Sequence, residues 1–148
     1  MEARFYQVGG QLPADVDAVL PGLLDKITST GKRVLLIVAD TAVARLDERL
    51  WPAGSAFLPH GKMGEGDEDR QPILLAGVGQ AAGQVGERLP VITAGAEEAF
   101  EIPAESIVYL YHAAVADNAA RRLAGLQEKG WRVSLFEQTA QGWRKQSI

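Results

Sequence analysis

Gly31-Lys32-Arg33-Val34-Leu35-Leu36-Ile37-Val38-Ala39-Asp40-Thr41 is the stretch that decides the fold. Val34 to Ala39 is a continuous apolar run of strand length. A strand that is apolar at every position is buried on both faces, as in a parallel sheet covered by helices on each side. Gly31 before it ends a helix, because glycine accepts the left-handed backbone of a helix stop. Asp40-Thr41 after it can cap a second helix, expected to reach about Trp51 and to stop at Pro52.

The same alternation of strand and helix extends outward. Glu2 to Val8 alternates and carries Phe5 and Tyr6, which reads as a strand. Pro13-Ala14-Asp15 opens a helical pattern with Val16, Val19, Leu20, Leu23, Leu24 and Ile27 on one face. Pro21 inside that pattern is expected to split or kink the helix. Pro52 to Gln71 reads as loop, Ile73 to Ala76 and Val91 to Thr93 as short strands, and Glu97 to Pro103 fits no one class. Ile107 to Tyr111 is a strand, Ala113 to Lys129 a helix stopped by Gly130, and Trp131 to Glu137 a final strand. The expectation is an α/β fold of one domain, residues 1–148, without repeats or linker. Its sheet is mostly parallel with helices on both faces, a Rossmann-like three-layer arrangement.

Composition narrows the function classes. The chain has 148 residues, 47% of them hydrophobic, which is enough for a real core. It has no Cys, and its two His residues, His60 and His112, leave little for a metal site. No basic-then-apolar leader and no run of membrane-spanning length are present, so a cytoplasmic protein is expected. A net charge of −4 argues against direct nucleic-acid binding. The charge is uneven: residues 121–148 carry +4 and the rest −8. The basic end can be a solvated helix face or a surface that attracts an acidic ligand.

Few residues offer chemistry. Gly77-Val78-Gly79-Gln80-Ala81-Ala82 has the G-x-G-x-x-A form, with Glu97 about 20 residues on, where a dinucleotide fold places its ribose acid. Gly83 and Gly86 weaken the helix that should follow, and a crossover helix barely fits before Val91. This loop is the enzyme-class alternative. Gly54 to Met63 misses a phosphate loop in its glycine spacing and in Met63, where Ser or Thr should hold magnesium. His60 lacks an evident catalytic partner, and Asp67-Glu68-Asp69 lacks the spacing of a calcium loop. No cofactor is expected. Leu50, Trp51, Phe57, Leu58 and Pro59 form an apolar group that is either loop packing or a protein-binding hot spot.

Uncommon residues follow one another from Lys32 to Pro72: Gly31-Lys32-Arg33-Val34-Leu35, Arg45-Leu46-Asp47-Glu48-Arg49-Leu50-Trp51, Phe57-Leu58-Pro59-His60, Gly64-Glu65-Gly66 and Pro72. Their order and spacing resemble the chi subunit family of bacterial DNA polymerase III. There a GKRVL strand leads to an RLDExLW helix, an SFxPH loop and a GEG…P segment. Phe5-Tyr6 also fits the family's first strand, and the likeness weakens after Ala76.

The resemblance implies a non-catalytic accessory subunit in DNA replication. It implies that the group Leu50, Trp51, Phe57, Leu58 and Pro59 faces the psi subunit, which ties the chain to the clamp loader, with Phe57 and Pro59 in the contact and Trp51 either in it or the buried support beneath them. It also implies a basic site for the acidic, apolar C-terminal tail of single-stranded DNA-binding protein. Arg121 or Arg122 would supply the cation, and Leu123, Leu126 or Val108 the apolar hole. The family's ARxRYKxYR helix is only partly matched: Leu123 and Ala124 stand where it has Tyr and Lys. A partner other than psi, such as a helicase, is a further alternative for the Phe57 loop.

Overall fold

Strand and helix alternate along most of the chain, and the strands meet in one sheet. The computed structural model describes residues 1–9, 15–50, 60–62, 72–81 and 86–148. The strands are β1 (Glu2–Val8), β2 (Val34–Val38), β3 (His60–Lys62), β4 (Ile73–Gly77), β5 (Leu89–Thr93), β6 (Ser106–His112), β7 (Arg132–Thr139) and β8 (Gly142–Gln146). The helices are α1 (Val16–Thr28), α2 (Val43–Leu50), the single turn α3 (Val78–Ala81) and α4 (Ala116–Glu128). Short 3-10 turns occupy Asp40–Ala42, Glu97–Glu101 and Ala113–Val115. The strand order among the described residues is β3-β4-β2-β5-β6-β1-β7-β8. Every neighbouring pair is parallel except β7 and β8, so the α/β expectation holds.

Strand periodicity divides the core in two. In β2, Val34, Leu36 and Val38 face α1 and α2, while Leu35 and Ile37 face α3 and α4. All five are buried, which is why the run shows no polar alternation. In β1 the same two-residue period sends Tyr6 and Val8 to the α1 side and Ala3 and Phe5 to the α4 side.

Helix α1 begins where Asp15 accepts a hydrogen bond from Ala18 N at 2.7 Å. It ends before Gly31, whose φ is +87°. Of the two effects expected of Pro21, the split does not occur: one helix runs from Val16 to Thr28. Leu20, Leu23, Leu24 and Ile27 are buried against the sheet, and that packing holds the turn on either side of the proline.

Two strands were not legible in the sequence pattern. The stretch read as loop from Pro52 to Gln71 contains β3, which pairs with β4 at the sheet edge. The last strand is followed by β8, which turns back antiparallel on β7. Its sequence, Gly-Trp-Arg-Lys-Gln, has no apolar alternation because it lies at the other edge, half in solvent. Among the described residues no helix is long and apolar enough to cross a membrane.

Candidate functional site

The sequence motifs point to two sites. The first is the apolar segment around Phe57. Trp51, Phe57, Leu58 and Pro59 lie outside the described residues. Leu50 is the last residue of α2, and β3 begins at His60 beside β4. Asp67, Glu68 and Asp69 also lie outside the described residues.

The second site is fully described. A 390 Å³ pocket opens beside the carboxyl end of β5, between the 3-10 turn at Glu97 and the first two turns of α4. Its wall combines Tyr109 and Val115 with Glu97, Asn118, Arg121 and Arg122. Helical spacing brings Val115, Asn118 and Arg122 to one face. Arg121 donates from Nη1 to Asn118 Oδ1 at 3.1 Å, which orients its guanidinium along the helix. Arg122 is half-buried, with Cζ 4.9 Å from the centroid of the Phe100 ring, within cation–π range.

Beneath the pocket lies a packed set of rings. Phe5 meets Tyr109 edge-on at 5.3 Å, Phe100 meets Tyr109 at 5.0 Å, and Tyr109 stacks on Tyr111 at 5.2 Å. Such pairs contribute about 0.5–1.5 kcal/mol each beyond burial. Burial pushes the Tyr109 phenol well above its ordinary range, and the neighbouring Glu97 charge adds to this while Arg122 opposes it. Tyr111 is pushed up to about 12, by burial first and then by Glu137. Its hydroxyl donates to Gln7 Oε1 at 3.2 Å.

Arg121 and Arg122 thus come together at a pocket, but the expected apolar hole is built from other residues. Leu123 and Leu126 are buried in the core under α4 and do not line the pocket. Val108 cannot line it either, because it faces α1 across the sheet. Tyr109 and Val115 take that place. The signal for them was present: Tyr109 is one strand residue on from Val108, hence on the opposite face, and Val115 is seven before Arg122.

The glycine loop is engaged by the chain itself. Gly77 ends β4, and Gly79 N donates to Asp40 Oδ1 at 3.1 Å. A Cβ on Gly77 would overlap that carboxylate, so close approach of Asp40 accounts for the glycine. Asp40 makes this contact instead of capping its own turn, which has no side-chain cap. A dinucleotide fold sets the strand of the ribose acid directly beside the glycine strand. Here β2 lies between β4 and β5, and Glu97 binds Gly95 N at 2.6 Å. Among the described residues no group of three His, Asp or Glu could hold a metal ion.

His112 serves the backbone: its Nδ1 accepts from Ala114 N at 3.0 Å and opens the turn before α4.

The family model for the DNA polymerase III chi subunit, HolC, matches residues 1–124. The matched span therefore covers β1 through most of α4 and stops before β7 and β8. A search of curated proteins found no match.

Proposed function

This chain belongs to the DNA polymerase III chi subunit family, and we propose that within it the protein is a non-catalytic adaptor between two partners. Membership makes it an accessory subunit in DNA replication, associated with other subunits of DNA polymerase III. In the proposed role, residues 1–148 act as one cytoplasmic domain that needs no cofactor. The loop with Trp51, Phe57, Leu58 and Pro59, next to Leu50, takes psi and so the clamp loader. The α4 side takes the acidic C-terminal tail of single-stranded DNA-binding protein. Joining two modest contacts raises the effective concentration of the polymerase near coated single strands without any chemistry by this chain.

The observation that carries this reading is the pocket at Arg121 and Arg122. A tail ending in a carboxylate beside an apolar side chain needs a cation next to an apolar wall. Arg122 over Phe100, with Tyr109 and Val115 alongside, supplies both. The Asp40 carboxylate at Gly79 N favours this adaptor role over the nucleotide-binding alternative, since it stands where a phosphate would have to bind.

Fluorescence anisotropy with the labelled tail peptide tests the reading. Saturable binding at low salt that weakens at moderate salt is expected, because the attraction is largely screened. Amidating the terminal carboxylate should weaken it as well. No binding at low salt would remove the tail from the proposed role.

A further inference from the structure

A second pocket lies at the opposite, amino-terminal ends of the strands, on the α1 side of the sheet. It encloses 250 Å³ over a floor of Tyr6, Ile27 and Val108, all buried, with half-buried Leu89 at one side. Arg4, Lys26 and Lys32 stand around its rim, with Glu2 as the one acid among the described residues. Arg4 is paired with Glu2 at 3.1 Å. Lys26 and Lys32 form no ion pair with a described residue.

Nor is Lys26 needed to close the end of α1. Ser29 N, Thr30 N and Gly31 N already donate to the carbonyls of Asp25, Ile27 and Thr28. The Ser29 hydroxyl donates to the Lys26 carbonyl at 2.8 Å. Two ammonium groups are thus left facing solvent at the mouth of an apolar hole.

The hole does not stand alone. Lys32, Leu89 and Ser106 also line an open groove of 960 Å³ across the strand ends. Among the described residues Lys32, Arg33 and Arg88 stand against Glu87 and Glu105 along the outer groove, and Arg4, Lys26 and Lys32 against Glu2 alone at the hole, so both spaces favour an anion and the inner end favours it more. A ligand that fills both spaces is an extended chain with one side group inserted, rather than a compact molecule.

We propose that this groove is a binding site for a peptide segment that carries carboxylates on both sides of one large apolar side chain. The apolar side chain enters the hole over Ile27 and Val108, and the carboxylates meet Lys26 and Lys32. The site lies across the sheet from Arg121 and Arg122, so both can be filled at once.

Three labelled pentapeptides test this by anisotropy against the full chain at low ionic strength. One has phenylalanine between pairs of glutamates, one replaces the phenylalanine with alanine, and one replaces the glutamates with glutamine. The first should bind saturably and each control should be weaker by about tenfold or more. Lys26→Glu with Lys32→Glu should bring the same loss. Both lysines are exposed, and an unchanged thermal melt would verify that the double variant folds. With the peptides' C-termini amidated, so that no terminal carboxylate is offered to Arg122, the loss caused by the lysine double variant should be the same in the Arg122→Ala background, as for distant independent sites.

Absence of saturable binding by the first peptide would overturn the proposal. So would equal binding of the alanine peptide, which would leave only a charge effect. Loss on Arg122→Ala with retention in the lysine double variant would place the peptide at the α4 pocket instead and equally refute this site.

Discussion

The two faces of the sheet are packed with different chemistry. On the α1 side the core is mostly aliphatic, with Leu20, Leu23, Leu24 and Ile27 against Val34, Leu36 and Val38, and its rings, Tyr6 with Phe136 and Trp143, gather toward β7 and β8. On the α4 side it is built around Phe5, Tyr109 and Tyr111, with Phe100 at its margin. Aliphatic side chains can close a layer with no polar atom to satisfy. Tyrosines bring a hydroxyl that must reach a partner, so their ends lie near polar groups such as Gln7, Glu97 and Arg122. The α4 face carries a polar pocket at its margin beside Tyr109, and the α1 face carries one over Tyr6 at the amino-terminal strand ends.

The contrast between the faces breaks most visibly at Leu36. Its side chain is wholly buried on the aliphatic side, and Leu36→Ala should cost about 2–5 kcal/mol of stability, read from urea unfolding. Tail-peptide binding by the molecules that remain folded should be unchanged. A variant that lost tail binding at full stability would mean that the two faces are not independent.

On the aromatic side the effect should fall on binding instead. Arg122→Ala should weaken the tail complex by about 1.5–3 kcal/mol, as loss of a charge-assisted contact does. Its unfolding midpoint should move little. If binding is indifferent to Arg122, Arg121, Lys129 and Arg132 become the cations to vary.

Phe57→Ala extends the comparison to the segment between Leu50 and His60. It should weaken psi binding by about 2 kcal/mol with the tail contact intact, measured by calorimetry with each partner. Strong unfolding of this variant would make Phe57 a core residue and not an interface residue.

The smallest effect concerns alkaline pH. Tyr109 and Tyr111 both hold their protons more tightly when folded than the ordinary value of 10.0. The Tyr111 contribution is fully present below pH 10 and is lost as pH rises through about 12, where its phenol ionises in the fold. Tyr111→Phe should make stability fall less steeply over that window in pH-dependent unfolding. An unchanged slope would show that the Tyr111 phenol is not coupled to folding.

Much of the fold is legible in the amino-acid pattern, for physical reasons specific to each segment. Val34–Val38 announces a doubly covered strand because every side chain in it is buried. The face of α1 is legible because Leu20, Leu23, Leu24 and Ile27 keep helical spacing. The edge strands are not, since a strand with one neighbour and solvent on its flank has no apolar pattern to display. Gly77 is misleading: its cause is Asp40, which is distant in sequence and close only in the fold.

The pocket is half legible. Arg121 and Arg122 stand out by charge, but their apolar companions were sought in Leu123 and Leu126, which the helix turns inward. Charge patterning identifies a surface, while the wall beside it comes from another strand. Tyr109 contributes that wall through β6, and only the sheet order brings it beneath α4.

The most direct test of the adaptor is a sandwich measurement. Psi is fixed to a sensor surface, this chain is captured on it, and single-stranded DNA-binding protein is then passed over. A second mass step is predicted, absent without this chain and absent when the DNA-binding protein lacks its tail. Capture by psi with no second step at low salt, or no capture at all, would contradict the bridge.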